Sequence, residues 1–360
     1  MVARIGRTDV SGWQSLGRHS PYPLAVARNE ATSSAPEASL APVVRAAARR
    51  PLCLPTVLLA IMTALVTWEG ASPLARHGQL GHTLAAARVE LVGPSVLAVV
   101  LVTLVCERLW PAERRRLLAR GHVQDACYLL VFAGAVVPLV TLLGVASAHL
   151  LLGDAAWLRA PWASSWPRWL ALSVTLVAMD GCNWLTHWAD HRVAVLWRVH
   201  ALHHSQEELS VLTTFRTHPL VHTVSFLAAA VPVVAVMGAR PLAPVLITAY
   251  LCLGALPHAN VRWTFGPLGR ILVSPAYHRI HHAADGPYDV NLGIVLTVWD
   301  VLAHRAIFPR PAQAPCRTGL ADRPLPVEQA SKRRPARLLC SQLLDPFLAP
   351  RGATRPRSPA

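Results

Sequence analysis

Long apolar stretches with few charged residues dominate the first half of the chain. Four of them run over residues 52–68, 91–106, 126–152 and 169–179. A membrane-spanning helix needs about 20 apolar residues, or slightly fewer where flanking side chains reach the interface. The pattern therefore predicts an all-α fold, a polytopic bundle whose N-terminal transmembrane helices lie within residues 51–168.

Two shorter apolar runs, residues 224–239 and 242–257, are separated only by Arg240 and Pro241. This spacing predicts a helical hairpin over residues 224–257. Whether the hairpin crosses the membrane or dips into it, both of its ends emerge on the same side. The segments before and after it, residues 187–222 and 258–282, are therefore expected on one membrane face, where they can share a site.

Composition supports a membrane protein, because 53% of the 360 residues are hydrophobic and only 15% are charged. Lys and Arg outnumber Asp and Glu by 34 to 19, but the arginines flank apolar runs, which favours a membrane surface over nucleic acid. The connector 107–124 holds more arginine than the connectors 69–90 and 153–168. The positive-inside rule then predicts that the histidine segments face the cytoplasm, in the bacterial inner membrane.

The two ends of the chain, residues 1–50 and 309–360, are rich in Arg and Pro and lack hydrophobic periodicity, which predicts disordered tails. An oily patch at residues 338–348 could instead lie on the bilayer surface. Residues 169–308 remain as a helical, histidine-rich catalytic domain.

Histidine is the anomaly of this sequence, since 11 of its 17 histidines lie between His187 and His282. Residues i, i+3 and i+4 of a helix project from one face, so each histidine cluster can present its imidazoles to a common point. Neutral imidazole binds iron, zinc, copper and nickel, and the seven cysteines are scattered without paired spacing. Together the clusters predict a two-metal centre. Its expected ligands are His187, His191, His200, His203, His204, His278, His281 and His282.

Further residues join this set with less direct support. His258 follows the hairpin and is expected to be a ninth ligand. His218 and His222 form another i, i+4 pair, either ligands or buried supporting residues. Asp180 precedes His187 by two helical turns, where a carboxylate could orient an imidazole through its other nitrogen or simply be a charge at the end of a span. Iron is favoured because a site without thiolates beside a hydrocarbon phase suits oxygen activation, although ligand type alone leaves zinc open.

Several ordered motifs between Asp180 and Asp300 resemble the fatty acid hydroxylase and sterol desaturase superfamily. They are Leu196-Trp-Arg-Val-His200, His203-His-Ser205, Arg216-Thr-His218-Pro219, His258-Ala-Asn260, His278 to His282, Asn291-Leu-Gly293 and Trp299-Asp300. The resemblance implies that the eight clustered histidines bind two iron ions, with Asn291 a possible supporting residue. It also implies O2-dependent hydroxylation or desaturation of a lipid, with electrons from a separate ferredoxin- or cytochrome-type protein. Trp188 and Ala303-His304 depart from the usual family pattern, which leaves the lipid class open.

Two other functions remain as alternatives. A membrane zinc-dependent hydrolase would use a metal-bound hydroxide, but Glu207 and Glu208 follow the second cluster without HExxH spacing. A metal transport or storage protein would place its sites near the bilayer midplane between repeats, and the sequence has no convincing internal repeat.

Overall fold

A computed structural model describes residues 52–115, 120–152, 165–230, 244–310, 315–320 and 335–348. Within these ranges the chain is helical, with four isolated β-bridges and no strand. The predicted all-α fold is therefore confirmed. The predicted tail 1–50, part of the connector 153–168 and the tip of the predicted hairpin, residues 231–243, lie outside the described residues.

Twelve α-helices are present in the described residues. They are α1 Leu54–Arg76, α2 Leu80–Val92, α3 Pro94–Leu109, α4 Arg120–Val131, α5 Val137–Leu152, α6 Arg168–Arg192, α7 Ala194–His204, α8 Pro219–Ser225, α9 Pro244–Ala255, α10 Pro275–His281, α11 Val298–Leu302 and α12 Pro335–Leu344. Single 3-10 turns precede α8 and α10, and others follow α9 and α12. A π-helical turn follows α4, and another follows α8.

Three helical stretches are long and apolar enough to cross a membrane: Leu54–Arg76, Leu80–Leu109 and Gly121–Ser147. They coincide with the first three apolar runs of the sequence. The predicted connector 69–90 is wrong, however, because α1 continues to Arg76 and α2 already begins at Leu80. The charged residues within 69–90 therefore lie mostly on helices. Gly78, with a φ of 66°, provides the left-handed turn between α1 and α2.

Helices α1 and α5 pack closely at Gly70. A Cβ atom placed on Gly70 would lie 2.0 Å from the carbonyl oxygen of Leu142, which leaves no room for a side chain. Because that neighbour is backbone, the conflict can be relieved only if the helices separate.

Replacing Gly70 with valine is expected to lower the free energy of unfolding by about 2 kcal/mol or more, the cost of overpacking a close contact. The measurement is thermal unfolding of the detergent-solubilised protein. Gly81→Val is the matched control, since nothing lies within 4 Å of a Cβ at Gly81. Equal melting temperatures for the two variants would contradict the close packing of α1 on α5.

A hydrophobic core joins the candidate spans to the histidine-bearing segments. It contains Val100 of α3, Tyr128 of α4 and Leu202 of α7, together with Val211, Phe215 and Ala255. Leu202 lies between His200 and His203, so this core holds α7 in place behind its histidines.

The predicted disordered tail 309–360 is wrong for residues 335–348, which form α12 and a following turn. Leu338 is fully buried, and the Gln342 side-chain oxygen accepts hydrogen bonds from Gln124 and Tyr128 of α4. The oily residues of this segment therefore cover the protein's own core. Sequence pattern missed the helix because it is short and lies between stretches rich in Pro and Arg.

Candidate metal centre

Two consecutive helices carry five of the predicted ligands. Helix α6 ends at Arg192, Val193 is extended, and α7 begins at Ala194, so the chain reverses abruptly. His187 and His191 occupy the last turns of α6, whereas His200, His203 and His204 occupy the last turns of α7. The reversal brings the two sets of imidazoles face to face, with ring centroids of His191 and His204 4.7 Å apart.

The remaining four histidines come from two later elements. His258 ends the 3-10 turn that follows α9. Helix α10 starts at Pro275, where the Ser274 side chain accepts a hydrogen bond from the Tyr277 amide, and its short length places His278, His281 and His282 together.

All nine residues are buried and fall into two groups, within each of which the candidate ligand atoms lie within 4.8 Å of one another. The first group is His187, His191, His200, His204 and His281; the second is His203, His258, His278 and His282. The groups touch, since the rings of His204 and His282 stack with centroids 4.4 Å apart. The structure thus brings together the eight clustered histidines and His258.

Several ring nitrogens in these groups face each other at distances typical of ligands on one ion. His258 Nε2 lies 3.0 Å from His203 Nε2 and 3.1 Å from His278 Nε2, and His282 Nε2 lies 3.2 Å from His278 Nε2. Two nitrogens that each bind an ion at about 2.1 Å are about 3.0 to 3.4 Å apart.

The other ring nitrogen of several histidines faces a hydrogen-bond acceptor, which fixes where the ring hydrogen resides. Nδ1 of His187 lies 2.8 Å from the Leu292 carbonyl, and Nδ1 of His281 lies 2.9 Å from the Val290 carbonyl. A carbonyl only accepts, so both rings donate from Nδ1. Nε2 of each ring is left with a lone pair, buried and without a hydrogen-bond partner.

His203 and His258 face each other through ring nitrogens that both carry lone pairs. His203 Nδ1 donates to the Arg216 carbonyl. His258 Nδ1 lies 3.0 Å from the hydroxyl of Thr214, which itself donates to the Ala255 carbonyl and therefore accepts from His258. Both Nε2 atoms then point lone pairs at each other across 3.0 Å. A bound metal ion removes this repulsion, so the residues fit a metal.

Carboxylates face two further ligands. Asp289 lies 3.5 Å from Nδ1 of His191, and Asp190 lies 3.7 Å from Nδ1 of His200. Arg192 in turn lies 3.4 Å from the second oxygen of Asp289. Carboxylates behind ligating imidazoles orient the ring and increase its basicity.

Burial keeps these imidazoles neutral. It lowers the pKa of His258 to about 4 and holds the pKa values of His204 and His282 well below the usual range, with neighbouring histidines adding to the effect on His204 and His282. The neutral imidazole is the form that binds metal ions. Both groups are therefore ready to bind cations at neutral pH.

Comparisons with known proteins agree with this arrangement. The sequence model of the fatty acid hydroxylase family matches residues 172–304, the segment that contains both histidine groups. This segment is therefore similar to fatty acid hydroxylases.

Curated relatives match about two fifths of the chain. An ornithine lipid hydroxylase of Rhizobium tropici is 35% identical over 148 residues, which is 39% of this chain and 43% of that protein. An alkylglycerol monooxygenase of Danio rerio is 32% identical over 155 residues, 40% of this chain and 31% of that protein. The chain thus spans less than half the length of these relatives. No solved structure matches it significantly.

A loop of the matched segment, residues 289–297, supplies the two carbonyls that orient His187 and His281. Two buried carboxylates hold it. Asp300 accepts hydrogen bonds from the amides of Leu292 and Gly293 and from the side chains of Trp184 and Tyr277. Asp180 accepts from the amides of Val295 and Leu296 and from the side chains of Trp299 and Tyr250.

The predicted contact between Asp180 and an imidazole is therefore wrong. Asp180 acts on the loop, whose carbonyl at Leu292 acts on His187. Asn291 also lies in this loop, in a left-handed conformation with φ of 55°. Its side chain donates to the carbonyls of Tyr277 and Ile307 and accepts from the Ile307 amide. Asn291 therefore stabilises the position of α10, and none of these hydrogen bonds is to a histidine.

The structure places His218 and His222 away from both groups. His218 uses Nδ1 to accept from the Leu220 amide and Nε2 to bond the Leu343 carbonyl of α12. His222 packs edge-on against Phe132, with ring centroids 5.6 Å apart. Their i, i+4 spacing resembles that of the ligands, but they serve the packing of α8 against α12 and the turn after α4.

Sequence reasoning missed Thr214, Asp190, Asp289 and the loop carbonyls. Asp190 directly precedes His191 and carried a usable signal, because a carboxylate inside a histidine cluster is a candidate for orienting a ring. Thr214 and the carbonyls carried none, since their role depends on chain segments that meet only in the fold.

Removing the hydroxyl of Thr214 tests the orientation of His258. In Thr214→Val the His258 ring loses its acceptor, and we expect affinity for the second ion to fall by about 10- to 100-fold. The measurement is metal content after dialysis against a chelator series. Thr214→Ser, which keeps the hydroxyl, should restore wild-type affinity; a serine variant as weak as the valine variant would contradict the role of the hydroxyl.

Proposed function

We propose that this protein is a membrane lipid oxygenase in which the two histidine groups hold two iron ions. It hydroxylates or desaturates a lipid, using O2 and electrons supplied by a separate ferredoxin- or cytochrome-type protein. One observation carries the proposal: nine buried imidazoles form two touching groups inside the segment that matches the fatty acid hydroxylase family.

The donor set fits iron but also zinc, copper and nickel, so we infer iron from the oxidation chemistry in the names of the relatives. Both groups consist of histidines alone, and in the described residues no cysteine belongs to either. When bound, two iron ions supply the redox chemistry that activates dioxygen towards an unreactive C–H bond. A membrane zinc hydrolase would instead need a general base beside its metal-bound water.

The chain's own residues have three tasks in this scheme. The histidines bind the ions through the ring nitrogens that face one another, chiefly Nε2. Loop carbonyls orient His187 and His281, and Thr214 orients His258, so that little reorganisation is needed when the ions bind. Burial of all nine imidazoles keeps bulk water away from the site and prevents protonation of the ligands.

The relatives suggest the class of substrate. Their names describe hydroxylation of an ornithine lipid and oxidation of alkylglycerols, both amphipathic molecules of the bilayer. For this chain we propose a lipid that arrives from the membrane between helices α6 and α9. We further propose that the chain crosses the bacterial inner membrane several times, with the metal centre on the cytoplasmic face.

The test is purification from iron-replete cells followed by metal analysis and an oxidation assay. We expect about two iron ions per chain, and lipid oxidation that needs O2 and a reductant. Lipid extracts from cells with and without the protein, compared by mass spectrometry, should differ by 16 mass units for hydroxylation or 2 for desaturation. Zinc as the active metal, with hydrolysis in the absence of O2, would overturn the proposal.

A further inference from the structure

Two adjoining cavities lie where the connector after α3 meets the segment after His258. Their volumes are about 580 and 680 Å3, and Pro111 and Arg114 line both. The smaller one is also lined by Trp110, Arg262 and Trp263. The larger one extends between α3 and α4, and neither cavity contains a histidine of the metal groups.

Backbone contacts hold the walls of these cavities in place. Pro111 forms a β-bridge with Val261, and the Ala112 amide donates to the Asn260 carbonyl at 2.8 Å. The Arg262 guanidinium donates through Nε and Nη2 to the Ala112 carbonyl. This pairing fixes a cation at the smaller cavity.

The cavities have an excess of positive charge. Arg108 and Arg114 are exposed, and in the described part of the chain neither pairs with a carboxylate. The two carboxylates in the larger cavity are already engaged. Glu107 accepts the amides of Val211 and Asn260, and Glu113 pairs with Arg115 and Arg279.

The location matches the boundary of a membrane. Arg108 and Trp110 lie at the end of Leu80–Leu109, a stretch long and apolar enough to cross a bilayer. The wall of the larger cavity between α3 and α4 is apolar, formed by Leu104, Leu109, Val123 and Ala126. Arginine and tryptophan are the residues that meet lipid headgroups, and guanidinium binds phosphate through paired hydrogen bonds.

We propose that these cavities bind one anionic phospholipid, with its phosphate on Arg108 and Arg114 and an acyl chain along the apolar wall between α3 and α4. Arg262 provides a third cation, and Trp110 and Trp263 contact the glycerol region. The site is separate from the metal histidines, so it stands whether or not the proposed oxidation is correct.

The test is lipid binding to delipidated protein in detergent, followed by native mass spectrometry. Phosphatidylglycerol and phosphatidylcholine are the probes, because both carry a phosphate but only the first has a net negative charge. Two cations near a lipid surface are expected to favour phosphatidylglycerol by about 20-fold. Arg108→Gln/Arg114→Gln should reduce that preference to about twofold or less while its melting temperature stays unchanged.

The control is Arg317→Gln/Arg337→Gln, which removes the same charge from two exposed arginines elsewhere. It should keep the wild-type preference. Equal loss in both double variants would show a nonspecific charge effect and overturn the proposal, as would full preference in Arg108→Gln/Arg114→Gln. Displacement of the lipid by an equal concentration of free glycerol 3-phosphate would overturn the lipid assignment and identify a soluble phosphate as the ligand.

Discussion

Replacing His281 with alanine is expected to abolish oxidation of the lipid and to remove the ion of the first group. His281 is the member of that group contributed by α10, and its ring lies 4.6 to 4.8 Å from those of His187, His191 and His204. Without His281, the first group keeps four imidazoles, all from α6 and α7, and the side that α10 covers has no ligand. We expect iron content to fall from about two to about one per chain and activity to fall below about 1%.

The control for this experiment is His222→Gln. His222 is partly buried and was a candidate ligand by its spacing, but it packs against Phe132, outside both groups. This variant should keep its iron, and both variants are compared per folded chain by monitoring the melting temperature. Full iron and activity in His281→Ala would refute the metal centre. Equal iron loss in both variants would indicate that iron binding is weakened by any change to a histidine in the protein interior, and that His281 is not a ligand.

The second large effect is expected from Asp300→Asn. Four donors at 2.8 to 3.0 Å surround the Asp300 carboxylate: two loop amides, an indole and a phenol. Asparagine keeps one acceptor oxygen and presents an NH2 group to donors, so two bonds are lost inside the protein. Hydrogen bonds to buried charged groups are strong, and we expect the free energy of unfolding to fall by about 3 kcal/mol.

A purely structural role would end at that loss of stability. Because the loop held by Asp300 carries the Leu292 carbonyl that fixes His187, we also expect weaker metal binding in chains that are still folded. Iron affinity, measured well below the melting temperature, should fall by about 10-fold or more. Asp285→Asn is the control, since Asp285 is exposed and, among the residues that the structure describes, forms an ion pair with the exposed Arg317. Unchanged iron affinity in Asp300→Asn would show that the loop does not orient the ligand.

The sequence was most informative where histidines recur at helical spacing. His200, His203 and His204 had to share a face once their segment was helical, and the structure brings them to neighbouring rings. His258 followed from a topological inference, that a hairpin returns the chain to the same side. Spacing alone failed for His218 and His222, because an i, i+4 pair says which residues share a face but not what that face meets.

The rest depends on contacts between distant segments. Asp180 was singled out, but three of its four partners lie more than 100 residues later, in the loop and in α11, and no local pattern encodes the path of the chain between them. Helix α12 was missed for a related reason. Its amphipathic pattern is only ten residues long, which is too short for a helix that is stable in isolation. Helix α12 is stabilised by the burial of Leu338 and Gln342 against α4.

The distribution of the ligands along the chain has a consequence for biogenesis. Residues 187–204 contribute four members of the first histidine group but only His203 of the second. A nascent chain that ends before α10 therefore presents four of the five members of the first group, but only His203 and His258 of the four members of the second. We expect the two ions to enter in order, with the second captured only after residue 282 has left the ribosome and α10 has docked.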